Sequence, residues 1–530
     1  MSPSPDADRG SLFACIAAAS DRSRPAVVAG DGALTYAQLL DRARHLAFRL
    51  GSVDAPVLIY GNKQPAMVVG IVAALRLARP YVPVDASIPP ARVARMLAAA
   101  RPADAVLAQP APPALARELA THGVRTIVLD PLAAELDADQ GLEAAARPCP
   151  APAAGPRQAN PEAPAYVLFT SGTTGEPKGV PIPHAALRHF TDWLLATHAF
   201  VPSTETFLNQ APFSFDLSVM DLYGALLTGG TLFALGREEL ADMRALFRRL
   251  DGARLTVWVS TPSFARLCLA EPRFAQSMLP ALRRFLFCGE TLPVDVVQAL
   301  QQRFPGVEVW NMYGPTETTV AMTAVRITAA MAASGCPLSV GYPAPGTDVW
   351  IAAPDDPLRI LPHGSYGEIV IAGPQVASGY LPPHAGAAAF IALPDGRRAY
   401  RTGDLGWIDP DDGALACAGR LDRQIKLHGY RIELEEIEAR LRAVPGVTDG
   451  AVLAVERDGR PDHLVAAVVG GDADAPPLPE GARPLVQVVR AALAEWLPDY
   501  ALPRLVRRVR ALPLTPNGKI DRRALREMLG

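Results

Sequence analysis

The densest chemistry in the chain lies in Thr170-Ser171-Gly172-Thr173-Thr174-Gly175-Glu176-Pro177-Lys178-Gly179, where three glycines, four hydroxyl residues and one lysine crowd together. Glycine lets backbone approach a ligand closely, and successive free N–H groups form a nest for anions. Hydroxyls and an ammonium add donors, which is the chemistry of a polyphosphate grip. The Gly-Lys-Ser/Thr spacing of a P-loop is missing. Lys178 stands out further because the chain carries 51 basic residues but only four lysines: Lys63, Lys178, Lys426 and Lys519. An ammonium offers a compact, mobile point charge that a guanidinium does not. A flexible surface loop is the plainer alternative.

A second candidate is Asp216, which ends the run Phe213-Ser214-Phe215. A carboxylate at the end of an aromatic run must be paired if it is buried.

These residues require elements that place them. Ala165-Tyr166-Val167-Leu168-Phe169 reads as a buried strand feeding the phosphate-type loop. Thr256–Ser260, Arg284–Cys288 and Val307–Asn311 read as three more, each running into polar or Gly/Pro residues. Ligands of open α/β sheets sit at the carboxyl ends of strands, so these ends are site candidates. Further upstream, Pro56–Tyr60 and Tyr81–Val84 read as strands, with helices at 64–77 and 89–99. Such alternation predicts α/β layers. Near residue 420 the pattern changes. Leu434, Ile437, Leu441 and Val444 lie at helical spacing, with glutamates at the start and arginines at the end, matching the helix dipole. Two strand-like runs come next, Ala451–Val455 and Leu464–Val469, then a helix over 484–496. Residues 1–10 read as a leader, 146–164 as a surface connection and 472–483 as an acidic, Pro-rich loop.

Bulk properties narrow the function. A chain of 530 residues exceeds one core, so two or more domains are expected. A net charge of -3 gives no general attraction to nucleic acid or to anionic membrane. Residues 1–10 show no positively charged n-region leading into an apolar h-region, and the apolar stretch Ala66–Leu75 is too short to span a bilayer, so neither an export signal nor stable membrane insertion is expected. Six scattered cysteines without a CxxC pair argue against zinc and a disulfide frame, and for a cytoplasmic, reducing location.

Five stretches taken in order resemble the adenylate-forming superfamily, in particular the amino-acid adenylation enzymes of carrier-protein systems. They are the 170–179 loop, Asn311–Thr319, Tyr400–Asp404, Gly419–Asp422 with Ile425–Glu433, and Asn517–Asp521. Phe207–Leu222, Ser260–Phe264 and Phe287–Glu290 are most similar to the D-alanine–D-alanyl carrier protein ligases. The resemblance implies an α/β fold, with a large N-terminal domain of layered sheets (1–421) hinged to a small α+β domain (422–530). It implies activation of a small amino acid by ATP with Mg²⁺, giving an aminoacyl adenylate. It then implies transfer to the phosphopantetheine thiol of a carrier protein. No Gly-Gly-x-Ser carrier site is recognisable, so that carrier is expected to be separate and the enzyme a monomer.

The resemblance also assigns roles. Lys519 would be the catalytic cation shared by the substrate carboxylate and the α-phosphate. Thr170, Ser171, Gly172, Thr173, Thr174, Gly175 and Lys178 would grip phosphates. Tyr313, Gly314 and Thr316 would lie along the nucleotide, with Tyr313 stacked on adenine. Asp404 would bind the ribose hydroxyls, with Arg420 beside it, and Glu317 would hold Mg²⁺. Asp216 would read the substrate ammonium, and Leu217, Met220, Leu286, Cys288, Met312 and Val320 would wall a small side-chain pocket. Met312 stands where the D-alanine ligases lead us to expect a smaller residue such as threonine. Asp422 would be the hinge, and Gly429, within Lys426–Arg431, would line the thiol's approach. His184 and His428 are read as structural. Glycine, L-alanine, serine or proline remain alternative substrates. An acyl-CoA ligase or a non-catalytic nucleotide-binding scaffold are more distant alternatives.

Overall fold

The computed structural model describes residues 11–19, 21–129, 156–172, 176–383, 386–457, 460–470, 484–515 and 519–529. Thr173, Thr174, Gly175, the 1–10 leader, the 472–483 loop, Asn517 and Gly518 therefore lie outside the described residues.

Three sheets occupy the described residues up to Arg420. The first has nine strands. Its parallel centre runs Glu308–Tyr313, Arg284–Phe287, Val257–Ser260, Thr206–Asn209, Thr231–Ala234 and Pro25–Ala29. Two of these strands, Val257–Ser260 and Thr231–Ala234, are buried throughout, as expected when helices cover both faces of a parallel sheet. The second sheet orders Arg125–Val128, Asp104–Leu107, Val57–Gly61, Tyr81–Asp85 and Pro164–Thr170 in parallel, closed by antiparallel Lys178–Pro183. The helix Pro65–Arg76, apolar as far as Leu75, is buried from Pro65 to Leu75. It packs in one core cluster with residues of both sheets, which explains why it lacks a polar face. The third sheet is antiparallel and includes Arg398–Ile408 paired with Leu415–Arg420.

Beyond Asp422 the chain forms its own small α+β unit. A hairpin, Gln424–Leu427 with Tyr430–Glu433, leads into helix Leu434–Arg442. A three-stranded sheet of Val447–Arg457, Arg460–Gly470 and Leu505–Arg508 then packs with helix Leu485–Trp496. The apolar positions 434, 437, 441 and 444 all lie in that core. The expected strands are thus present; most extend beyond their apolar runs, whereas those expected over 256–260 and 284–288 are one residue shorter, at Val257–Ser260 and Arg284–Phe287.

The first two sheets bring their strand ends together. Asn209, Ser260, Phe287, Tyr313 and Thr170 each close a strand, and the candidate site is built on the segments just beyond these ends.

Candidate active site

Thr170 pairs with Lys178 across two antiparallel strands, so the two ends of the 170–179 segment stand side by side. A Cβ at Gly172 would lie 2.1 Å from the Glu176 carbonyl oxygen, an approach that only glycine fits. The Ser171 hydroxyl donates to the Arg431 carbonyl at 3.1 Å, and the Lys178 ammonium lies 5.5 Å from the Tyr380 ring centroid.

Asp216 holds the cap position of helix Leu217–Thr228, directly after the Phe-Ser-Phe run. The Thr316 hydroxyl donates to it at 2.6 Å. Burial pushes its carboxyl up to about 6, against the Thr316 hydrogen bond, with Glu317 raising it further and Arg431 and Lys426 opposing. A substrate ammonium placed here would restore the ionised form. Leu217, Cys288 and Val320 line the cavity that Asp216 faces. Met220, Leu286 and Met312 sit in the buried cluster that includes those three residues. The Cys288 thiol donates to the Val320 carbonyl at 3.6 Å, and burial pushes it up to about 12. It is a wall residue with no thiolate character. Thr319 and Val320 both have positive φ, 58° and 68°. That is costly for β-branched residues and marks a backbone held for the site.

Asp404 and Arg420 face each other across two strands, and Arg420 Nη1 donates to Asp404. The Tyr313 hydroxyl donates to the other oxygen of Asp404 at 2.6 Å. Gly314, Thr316, Asp404 and Arg420 line the same cavity as Asp216. Arg420 also donates to Asp422 at 2.6 and 2.8 Å, tying the end of the third sheet to the junction with the small unit.

Glu317 is fully buried and accepts from the Tyr380 hydroxyl at 2.7 Å and from Arg431 at 2.8 Å. The Arg431 guanidinium is the strongest influence lowering its carboxyl, against burial. Arg431 comes from the small unit. Its hairpin reaches into the large one, with Lys426, Gly429 and Arg431 lining the Asp216 cavity. The Gly429 amide donates to Glu290, whose other oxygen accepts from Ser263 at 3.0 Å. A Cβ at Gly429 would meet Thr261 at 2.4 Å, and its φ is +87°. Around the hairpin, buried Arg92 pairs with buried Glu436, and Arg440 pairs with Glu176 at 3.1 Å. A second cavity opens between the units and shares Phe215, Asp216, Thr316 and Arg431 with the first.

Lys519, and the two histidines read as structural, stand elsewhere. Lys519 is exposed, its amide donating to the Thr515 hydroxyl at 3.2 Å, and it lines neither cavity. Burial pushes His184 down to about 4, and His428 contacts the Asp462 carbonyl at 3.1 Å. Neither histidine lines either cavity. Among the described residues no acidic, histidine or cysteine cluster suited to a metal occurs. Sequence reasoning gave no role to Tyr380, Glu290, Thr319 or Arg92, and did not foresee the pairing of Arg431 with Glu317. Glu290 closed the Phe287–Glu290 stretch that carried the resemblance, without a role of its own.

This arrangement has known counterparts. Residues 16–381 match the model of the AMP-binding enzyme family, and 436–519 match that of the AMP-binding enzyme C-terminal domain. The chain is 40% identical over 504 residues to a D-alanine–D-alanyl carrier protein ligase of Bacillus velezensis, covering 94% of this chain and 95% of that one. A ligase of the same name from Bacillus cereus is 40% identical over 507 residues, covering 93% and 94%. Among solved structures, holo-PA1221, an NRPS protein containing adenylation and PCP domains bound to a vinylsulfonamide inhibitor, aligns with a TM-score of 0.78 at 29% identity. That alignment covers 98% of this chain and 84% of that one. The Vibrio cholerae adenylation domain AlmE, solved with glycyl-adenosine-5'-phosphate, shares the fold at 24% identity and a TM-score of 0.78, covering 98% and 96%. With matches that span both the large and the small unit and relatives 40% identical over nearly the whole chain, the chain belongs to the AMP-binding enzyme family.

Proposed function

We propose that the protein activates D-alanine with ATP in the cytoplasm and transfers it to the phosphopantetheine thiol of a separate carrier protein. Asp216 carries this reading: a partly buried carboxylate, raised by its desolvation, faces a small cavity walled by Leu217, Cys288 and Val320. An α-ammonium supplies the missing charge, and the cavity suits a methyl-sized side chain. The 40% identity to D-alanine–D-alanyl carrier protein ligases supports the choice of substrate.

In the first half-reaction a substrate carboxylate oxygen bonds to the α-phosphorus, and the bond from that phosphorus to pyrophosphate breaks. The residues' work is positioning and charge neutralisation. Asp216 fixes the ammonium, and Asp404, held by Tyr313 and Arg420, accepts from the ribose hydroxyls. The 170–179 loop grips the departing phosphates. Glu317 fits a Mg²⁺ ligand, since its buried, depressed carboxylate already holds a cation, the Arg431 guanidinium. When bound, such an ion neutralises phosphate oxygens. Lys519 is assigned to this half-reaction and reaches the site by rotation of the small unit about Asp422.

In the second half-reaction the thiol sulfur bonds to the acyl carbon, the carbon–oxygen bond to AMP breaks, and AMP leaves. The orientation of the small unit suits this step. The 424–433 hairpin lies in the site, Lys519 lies outside it, and a cavity beside Phe215 and Arg431 leads in between the units. Gly429 leaves room for the thiol arm. The test is loading of a purified phosphopantetheinylated D-alanyl carrier protein, with intact-protein mass as the readout. Gain of one alanyl group, dependent on ATP and D-alanine, supports the reading. No gain with D-alanine while another amino acid loads refutes the substrate.

A further inference from the structure

Three of the four lysines fall in the motifs of the site; Lys63 does not. It directly succeeds the strand Val57–Gly61 of the second sheet after Asn62, at positive φ (62°), and is only 3% exposed. Its ammonium crosses to the first sheet. It donates to the carbonyls of Asn209 at 2.9 Å and Gln210 at 2.5 Å. Asn209 ends its strand, and residues 210–216 run from there to Asp216. The Asn209 side chain donates to Asp221 at 2.8 Å and to the Ala211 carbonyl at 3.2 Å. Asp221 lies just over one turn beyond Asp216 in helix Leu217–Thr228 and is fully buried. One ammonium and one amide thus tie together a strand end, the loop and the helix that carries Asp216.

Stability alone does not account for this. Burying an ammonium is expensive, and an apolar side chain of the same length would pack at lower cost. The cost is visible in the groups involved. Burial pulls Lys63 down to about 7, opposed by the fields of Asp221, Asp85 and Glu239, and raises Asp221. What the ammonium offers in return is geometry. It joins the carboxyl ends of both parallel sheets, one leading to the phosphate loop and the other to Asp216.

We propose that Lys63 is a positioning residue for amino-acid binding: it clamps the carbonyls of Asn209 and Gln210 and so sets where Asp216 stands. The inference rests on the adenylation reading for its kinetic test and on geometry alone for its structural one. The variants are K63M, which keeps length and removes the donors, and K63M/D221N, which also removes the carboxylate left without its cation. In ATP–pyrophosphate exchange, both raise the amino-acid KM at least tenfold. The ATP KM stays within twofold, and the rate at saturating amino acid within threefold. Hydrogen exchange of the amides of Ala211 and of residues 213–216 quickens at least tenfold in both, with no change in the small unit. If K63M fails to fold, the double variant is read alone. An unchanged amino-acid KM overturns the proposal. So does a KM restored by D221N together with the melting temperature, since Lys63 would then only balance charge. Should the wild type exchange with no amino acid, the proposed function fails, and hydrogen exchange still decides the clamp: unchanged protection of these amides overturns it.

Discussion

Replacing Arg431 with methionine separates the two half-reactions. Glu317 is 1% exposed at its side chain and Arg431 18%, at 2.8 Å. Removing one partner of a buried pair costs ~3–5 kcal/mol, because the remaining charge is left without compensation. The Tyr380 hydroxyl still serves one Glu317 oxygen, and Arg431 is not wholly sealed from water, so the lower figure of ~3 kcal/mol applies. The penalty falls only on the orientation that puts the hairpin in the site. About 3 kcal/mol corresponds to ~10² in the population of that orientation. R431M therefore slows acyl transfer by up to ~10² while pyrophosphate exchange stays within threefold of wild type. Single-turnover loading of a phosphopantetheinylated carrier from preformed adenylate measures the first, and radiolabel exchange the second. Equal loss in both assays, or undiminished transfer, refutes the argument that the pair stabilises the transfer orientation.

Asp216 gives a pH prediction. Its folded-state value of about 6 lies above the ordinary 3.8, so the free enzyme must lose a proton before it can bind an ammonium. The amino-acid kcat/KM falls tenfold per unit below about pH 6, and a flat profile there contradicts the assignment. For stability the sign is the reverse of a paired carboxylate's. The folded state holds the proton more tightly, so stability falls as pH rises from about 4 to about 6 and stays reduced above. D216N is then more stable than wild type at pH 7, by up to about 3 kcal/mol, while amino-acid-dependent exchange is lost; a destabilised D216N would be contrary. K519A reduces pyrophosphate exchange by ~10²–10³ and leaves transfer from preformed adenylate intact, and loss of transfer alone would reverse its role. G429A drives a methyl into Thr261 and strains a φ of +87°. It lowers carrier loading at least tenfold and leaves exchange unchanged, and unchanged loading would remove Gly429 from the thiol's route.

Much of the frame was legible because it rests on short-range patterns. Apolar runs that stop at polar residues marked the strands whose ends build the site. The spacing of 434, 437, 441 and 444 marked the small unit's first helix. Asp216 was readable because a carboxylate directly after Phe-Ser-Phe has few comfortable places. What sequence could not give is encounter. Thr206–Asn209 lies between Thr231–Ala234 and Val257–Ser260, an order set by helix packing across the sheet, with no local signal. Arg431 and Glu317 meet across 114 positions, and only the placement of one unit on the other joins them. Tyr313 carried no sequence signal for the bond its hydroxyl makes to Asp404, although a buried phenol needs an acceptor. Lys63 was conspicuous by rarity alone. Its two carbonyl partners are backbone atoms, which no side-chain pattern reveals.

The central claim is amino-acid activation with D-alanine preferred. It is tested most directly by ATP–pyrophosphate exchange with D-alanine, L-alanine, glycine, L-serine and L-proline in parallel, with K519A as control. The account predicts strong exchange with D-alanine, weak exchange with the others, and loss in K519A. Preference for another of the five would overturn the substrate and place the error in the pocket walled by Leu217, Cys288 and Val320. Exchange with none of them would contradict the claim itself.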